Sequence, residues 1–212
     1  MCSLPAAVSR EILTLKNTSA GKVFLHRGPK GMLQLKNRKK VRELATGAVI
    51  AAMYAVLTYL AAAMNLAYGG VQFRFSEALT ILPVFTPAAI PGLTLGCLIS
   101  NLGSPLGIVD WIFGTLASFL AAFGVYLVRN IRWKDIPIFA PLPPVLCNAL
   151  LVGLEIACLS DAGVFSFGNA SWGGFFAGAI SVGLGQLVVC YALGIPLFLA
   201  IRRSKLPTYL GL

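Results

Sequence analysis

The sequence is dominated by apolar stretches that are long enough, or nearly long enough, to cross a lipid bilayer. A transmembrane helix needs about 20 apolar residues. The mean hydropathy of +0.83 and the charged fraction of only 11% are outside the range of an ordinary soluble domain. The candidate spans are Leu44–Ala67, Ala78–Phe85, Ile90–Leu102, Ile108–Val128, Pro141–Leu159 and Trp172–Ile201. We therefore predict an all-α, polytopic membrane protein with six transmembrane helices.

The second and third spans are shorter than the others, and prolines interrupt or end them. Pro83 lies inside the second span and Pro87 follows it. Because proline removes a backbone donor, we expect these two segments to be kinked, tilted or partly re-entrant.

Positive charge is distributed unevenly along the chain and predicts its orientation. Ten of the 17 Lys and Arg residues precede Glu43, and the remaining seven lie mostly near the ends of apolar spans. If the N-terminus is inside, only Arg74 of those seven falls outside, which agrees with the positive-inside rule. This placement indicates membrane flanks rather than a DNA-reading face. Both termini are therefore expected to be cytoplasmic.

The N-terminal segment has no apolar periodicity and differs from everything that follows it. We expect residues 1–38 to be a disordered basic tail, and residues 39–205 to form the six-helix membrane domain. Alternatively, the assigned start is too early, and Met32, which precedes the run LQLKNRKKVRELATG, is a natural start.

The chain lacks the residue patterns of metal sites and of common catalytic sites. Its five cysteines show no paired spacing, and it contains a single His. Walker A, GxSxG and HExxH motifs are absent. We therefore predict a protein that is not an enzyme, with no metal and no cofactor, whose cysteines serve as small packing residues.

Ionisable and amide side chains within the apolar spans are the candidate functional residues, because burying such groups in lipid is costly. On the predicted topology the ionisable ones, with Asp161 in an outer loop, gather on the extracellular side. The candidate substrate-binding residues are Gln72, Arg74, Glu77, Asn101, Asp110, Asn148, Glu155, Trp172 and Gln186.

The stretch VQFRFSEAL carries three of these candidates. Ser76 is a plausible N-cap, and the helix dipole favours Glu77 in the first turn. One interpretation is an Arg74–Glu77 ion pair that anchors the mouth of a helix. The other is that Gln72, Arg74 and Glu77 line a ligand pocket or its lid.

The later candidates also have two interpretations each. Asn148 and Glu155 are seven residues apart and share one helix face, so Glu155 needs either a structural partner or a ligand. Gln186 is either a ligand donor or a contact between helices. Trp172 is either an interface anchor or a ring that stacks on a planar ligand.

Small residues form stripes along the first span, in the sequence ATGAVIAAMYAVLTYLAAAM. Ala48 with Ala52, and Ala51 with Ala55, are each four residues apart, which leaves smooth surfaces that other helices can approach closely. The stripe either packs within the chain or docks another membrane subunit.

Four motifs of this chain, in the order in which they occur, resemble those of the queuosine-precursor transporter (QueT) family. They are VQFRFSEALTILP, TPAAIPGLTLGCLISNL, PPVLCNALLVGLEIA and GLGQLVVCYALGIPL, and the likeness extends from about Lys39 to Arg203. Members are similar to substrate-binding S components of energy-coupling-factor (ECF) transporters. The resemblance implies a six-helix S component in a bacterial plasma membrane, which captures queuine or a related 7-deazaguanine from outside.

The resemblance also implies partners and a substrate position. An S component works with a transmembrane T component and two cytosolic ATPases, and an AxxxA stripe on its first helix docks the T component. Substrate lies in the outer half of the fold. A Glu is common in the family where this chain has Gln186, so a different or neutral precursor is favoured if that Glu recognises a cationic aminomethyl group. We expect Glu155 or Glu77 to accept hydrogen bonds from the donor edge of the 7-deazaguanine. We expect Arg74 or an amide to lie at its O6 side.

Two other functions remain open from the sequence. A stand-alone secondary transporter would take up substrate without ATPases, although no internal repeat supports one. An S component for another vitamin-like micronutrient would keep the fold and change the ligand.

Overall fold

The computed structural model describes the backbone of residues 15–16, 24–25, 29–67, 73–160 and 165–204, and side chains from residue 37 onward. Residues 1–42 and 43–212 form separate units. In the first unit, β1 (Leu15–Lys16) pairs antiparallel with β2 (Phe24–Leu25). Most of the predicted disordered tail lies outside the described residues. The helix that enters the membrane domain begins at residue 29, earlier than the predicted boundary at 39.

The domain predicted to lie in the membrane is helical in its described part, as expected. Its elements are α1 (Pro29–Ala63), a 3-10 helix (Phe75–Val84), α2 (Ala89–Asn101), α3 (Ile108–Val128), α4 (Leu142–Ala157), α5 (Trp172–Val189), a π-helical turn (Cys190–Gly194) and α6 (Ile195–Arg203). The π turn joins α5 and α6 into one continuous rod.

Three of the described helices are long and apolar enough to cross a membrane. They are Asn37–Ala63, Ile108–Val128 and Trp172–Arg203. The 3-10 helix, α2 and α4 are apolar but shorter. At a rise of about 2.0 Å per residue, the ten-residue 3-10 helix extends only about 20 Å. The second and third predicted segments are thus short, as expected.

The 3-10 helix differs from the α-helical start predicted for this segment. Arg74, in extended conformation, occupies the N-cap position, and no side chain caps the helix. Ser76, predicted as the N-cap, instead accepts a 2.7 Å hydrogen bond from Thr58 of α1. The N-cap prediction was therefore wrong, because a cross-helix partner competes for the Ser76 hydroxyl. Long 3-10 runs are uncommon and often mark strained or functional segments.

Close packing of glycines against α1 fixes the position of α2. A Cβ placed on Gly92 would lie 2.7 Å from the Gly47 carbonyl oxygen, and one on Gly96 would lie 2.7 Å from Tyr54 Cβ. Ala51 also contacts Gly96, and it is buried. Small residues at four-residue spacing let the two backbones approach, as is typical of membrane helices.

Replacing Gly96 with Ala is expected to lower the free energy of unfolding by about 1–3 kcal/mol, because the new methyl group overlaps the backbone of α1. Gly173→Ala is the matched control, since nothing lies within 4 Å of a Cβ placed on Gly173. Thermal unfolding of both variants in the same detergent checks this. Equal midpoints for the two variants would contradict the tight α1–α2 contact.

The helices α2 to α5 pack as antiparallel neighbours. Along α4 and α5, Ala149 lies against Gly183 and Gly153 against Ala179. Between α3 and α4, a Cβ on Gly124 would lie 2.7 Å from Pro143. The C-terminal ends of α2 and α4 therefore lie at the same end of the domain as the N-terminal ends of α3 and α5. We call this the site end.

Candidate functional site

Most of the buried polar side chains of the described membrane domain lie toward the site end. Charged groups at this depth need partners, because their desolvation is costly. The buried candidates are Arg74, Glu77, Asn101, Asp110, Asn148, Glu155 and Gln186. They come from five helical segments, the 3-10 helix and α2 to α5, so the fold itself assembles them.

Arg74 is a buried cation, with only 4% of its surface exposed. Its Nε donates to the Ala67 carbonyl oxygen at 3.1 Å, and its Nη1 donates to Asn101 Oδ1 at 3.3 Å. Nη2 lies 3.5 Å from Asp110 Oδ2, which makes an ion pair. Arg74 therefore ties the start of the 3-10 helix to the facing ends of α2 and α3.

Asn101 of α2 and Asp110 of α3, which both contact Arg74, also contact each other. Asn101 Nδ2 donates to the Asp110 backbone carbonyl at 2.9 Å. A Cβ on Gly114 would overlap both Asn101 Nδ2 and Asp110 Oδ1, so glycine is needed there for space. Within the described residues, neither Asp110 carboxylate oxygen accepts a hydrogen bond, and Arg74 is its ion-pair partner.

Glu155 of α4 is the least satisfied charged group in the described domain. It is fully buried, and neither of its carboxylate oxygens has a hydrogen-bond partner among the described residues. Asp110 and Arg74 are near enough to act electrostatically on its carboxyl group. We define Arg74, Asn101, Asp110 and Glu155 as the charge cluster. It holds two carboxylates for one cation.

Glu77 is also buried, but the protein satisfies it. Tyr54 Oη donates to Oε1 at 2.5 Å, and Asn148 Nδ2 lies 3.5 Å from Oε2. One interpretation of the sequence was an ion pair between Arg74 and Glu77. In the described contacts, the two side chains instead have different partners. Arg74 reaches Asp110, and Glu77 reaches Tyr54 of α1 and Asn148 of α4.

Gln186 joins the same region through the π turn. Cys190 Sγ lies 3.6 Å from Gln186 Oε1 and 3.7 Å from the Glu77 carbonyl oxygen. Its distance to Thr80 Oγ1 is 3.9 Å. π turns often occur at functional sites, and this one places Cys190 against the 3-10 helix beside Glu77.

This arrangement offers both hydrogen-bond acceptors and donors to a polar ligand. Glu155 offers two acceptor oxygens that receive no hydrogen bond from the part of the chain that the structure describes. Arg74 and the amides of Asn101, Asn148 and Gln186 are buried donors in the same domain. No group of three or more His, Cys, Asp or Glu residues in the described part of the chain could hold a metal ion.

One of the predicted binding residues, Trp172, is not part of this buried region. Trp172 is 79% exposed at the start of α5, where its ring stacks on Phe176 with centroids 6.2 Å apart. Gln72 lies outside the described residues, as does Asp161.

The two alanine stripes of α1 have different environments. Ala51 and Ala55 are buried within the chain. Ala48 and Ala52 are exposed, beside the exposed apolar side chains of Val49, Met53 and Val56. Only the second stripe is available to a partner in this structure.

Sequence reasoning did not single out Tyr54, Thr58 and Cys190 as site residues. Tyr54 and Thr58 are four residues apart on α1 and are both fully buried, and each donates to the 3-10 helix. Their i,i+4 spacing beside the small-residue stripe is a signal that could have identified them. Cys190 has no such signal, because its role depends on the π turn.

Two comparisons of the sequence with known proteins give a match. The model of the family described as QueT transporter matches residues 44–203. A relative named queuosine precursor transporter QueT, from Lactococcus lactis subsp. cremoris (strain MG1363), is 36% identical over 96 residues. That match covers 45% of this chain and 56% of the relative, so it spans little more than half of the relative's length. No solved structure matches the chain.

The family match includes all of the described helices from the apolar part of α1 to the end of α6, and therefore the whole charge cluster. Because it extends over more than half of the sequence, the chain belongs to the QueT transporter family.

Proposed function

We propose that the protein is the substrate-binding S component of an ATP-driven ECF importer, which takes up queuine or a related 7-deazaguanine from outside the cell. The observation that carries this proposal is the fully buried Glu155 carboxylate, whose two oxygens have no donor among the described residues. A buried acceptor without a partner costs free energy unless a ligand supplies the donors. The family match and the name of the relative support the choice of ligand class.

The chemistry of a 7-deazaguanine suits these groups. Its N1–H and exocyclic amine form a donor edge that can place two hydrogen bonds on a carboxylate such as Glu155. Its O6 can accept from Arg74 or from an amide of Asn101, Asn148 or Gln186. We propose Glu155 rather than Glu77 as the acceptor, because the Glu77 carboxylate already accepts hydrogen bonds from Tyr54 and Asn148.

The proposed topology has six membrane crossings with both termini in the cytoplasm of a bacterium. Six helical segments supply these crossings, three of them long enough to span by themselves. The site end would then face outward, since it follows the odd-numbered crossings. Trp172, at the start of α5, would lie at its rim.

The proposed partners are a transmembrane T component and two cytosolic ATPases. The exposed Ala48 and Ala52 stripe is the proposed docking surface, because small side chains allow a partner helix to approach closely. The buried Ala51 and Ala55 stripe is already used against α2.

Titration of the purified protein with queuine, its aminomethyl and cyano precursors, and common vitamins tests the proposal. We expect a rise in the thermal midpoint with at least one deazaguanine, because a ligand that binds only the folded state stabilises it. The vitamins serve as controls. In proteoliposomes the protein alone is expected to take up no ligand. A response to vitamins but to no deazaguanine would overturn the substrate, and uptake without ATPases would overturn the ECF role.

A further inference from the structure

An open apolar groove lies at the end of the domain opposite the charge cluster. It has a volume of about 410 Å³ and is bounded by the last turn of α3, the segment that follows it and the first turns of α4. Its lining residues are Val128, Ile131, Phe139, Leu142, Pro143 and Leu146. Four of these are exposed, including Ile131 at 52% and Leu146 at 57%. The groove therefore opens toward the surroundings of the protein and not toward the substrate site.

The connection between α3 and α4 forms a fixed wall of this groove. Trp133 and Ile136 pair through two backbone hydrogen bonds of 2.9 Å, and Lys134 and Asp135 form the turn between them. Tyr191 Oη donates to the Ile138 carbonyl at 3.0 Å. Arg202 pairs with Asp135 at 3.2 Å. These links hold the segment in place against the rod formed by α5 and α6.

Basic residues follow groove-lining residues directly in the sequence at the end of α3 and in the segment after it. Arg129 follows Val128 directly, and Arg132 follows Ile131. Arg129 lies over the Tyr126 ring, with Cζ 3.7 Å from its centroid, and donates to the Tyr126 carbonyl. Arg132 and Lys134 are exposed. In the described part of the chain no carboxylate pairs with Arg129, Arg132 or Lys134, since the nearby Asp135 is paired with Arg202.

We propose that this groove is a binding site for an anionic phospholipid, with an acyl chain against its apolar lining and the headgroup phosphate among Arg129, Arg132 and Lys134. The combination of an apolar lining with unpaired cations at one end matches the two chemically different parts of such a lipid. Basic pockets between helices at the cytoplasmic face of membranes recognise anionic headgroups. A zwitterionic lipid would fill the groove equally well but would gain less from the cations.

A partner protein helix is the competing occupant, and the charges argue against it. A helix that packs in an apolar groove of a membrane protein needs small or apolar residues. It would gain nothing from three unpaired cations unless it carried its own carboxylates. An anionic lipid meets both requirements, because it carries an apolar acyl chain and a negatively charged headgroup.

The test measures lipid retention by native mass spectrometry. Full-length protein is extracted from vesicles of phosphatidylcholine that contain a minor fraction of phosphatidylglycerol. We expect wild type to retain phosphatidylglycerol above its fraction in the vesicles. Arg132→Gln combined with Lys134→Gln is expected to lower that preference by about tenfold, because each basic residue near the headgroup contributes to it. The charge-matched control is Lys40→Gln with Arg42→Gln on α1, which contributes no residue to the groove.

A second pair of variants tests the apolar half of the site without altering charge. Leu146→Trp fills the groove and is expected to abolish the bound lipid. Leu150→Trp is the control, since Leu150 lies one turn further along α4, is 55% exposed and is not part of the lining. Equal retention of the two lipids by wild type, or equal retention by both Trp variants, would overturn the proposal. If the variants instead lose only their association with a transmembrane partner subunit, the groove belongs to a protein and the lipid site is disproved.

Discussion

Replacing Glu155 with Gln is expected to weaken binding of the deazaguanine by about 30-fold or more and to leave the ligand-free protein at least as stable as wild type. The loss arises because a neutral amide presents one acceptor and one donor where the base requires two acceptors. Losing a hydrogen bond to a charged group in a buried site costs about 2 kcal/mol or more, which is about 30-fold in affinity.

The stability of this variant is expected to change in the opposite direction to its affinity. In the ligand-free protein Glu155 is fully buried and neither oxygen has a described partner. Exchanging its charge for a neutral amide therefore removes a desolvation penalty. Calorimetric titration gives the affinity, and thermal unfolding without ligand gives the stability.

Glu77→Gln is the matched control for this experiment. Glu77 is as buried as Glu155, but its carboxylate accepts from Tyr54. Its replacement weakens a charge-assisted hydrogen bond, so the free energy of unfolding is expected to fall by about 1–2 kcal/mol. If Glu155→Gln binds the ligand as tightly as wild type, Glu155 is not the acceptor and the assignment fails.

The helical fold was predictable because apolar length and charge placement depend on local sequence alone. The predicted third and fourth spans, Ile90–Leu102 and Ile108–Val128, agree with α2 and α3 to within one residue at each end. The 3-10 geometry of Phe75–Val84 was not predictable. It depends on tertiary contacts, such as the hydrogen bond from Thr58 to Ser76, that no sequence window contains.

The end of the domain at which the buried charged groups lie was easier to predict than how these groups pair. Placing Arg74, Asp110 and Glu155 at one end required only the order and direction of the helices. Which carboxylate would pair with Arg74 could not be read from spacing. Glu77, three residues away, was the obvious choice by sequence, whereas the fold brings Asp110 to 3.5 Å and gives Glu77 to Tyr54.

The sequence could not separate the two alanine stripes of α1, because their periodicity is the same. The structure distinguishes them through the glycines of α2. Because Gly96 has no side chain, Ala51 and Tyr54 pack closely against it. The face of α1 that carries Ala51 and Ala55 is therefore buried. Ala48 and Ala52 lie on the exposed face. Which of the two stripes is open to a partner therefore depends on which face of α1 the rest of the chain leaves exposed.

Replacing Arg74 with Gln is expected to lower the free energy of unfolding by about 3–5 kcal/mol, because it leaves Asp110 buried without its ion-pair partner. Loss of the hydrogen bonds to Ala67 and Asn101 adds to this effect. Thermal unfolding of the ligand-free protein measures it. Asp110→Asn in the same background is expected to recover a large part of the loss, since the double variant no longer buries an unpaired charge at this position.

The double variant then distinguishes the two roles proposed for Arg74. If the ion pair only anchored the start of the 3-10 helix, restoring stability would also restore substrate affinity. We propose that Arg74 in addition donates to O6 of the base, and a neutral pair cannot replace that charged donor. The stable double variant is therefore expected to bind the deazaguanine at least about tenfold more weakly than wild type. Wild-type affinity in the stable double variant would limit Arg74 to a structural role and leave Glu155 as the principal polar contact of the site.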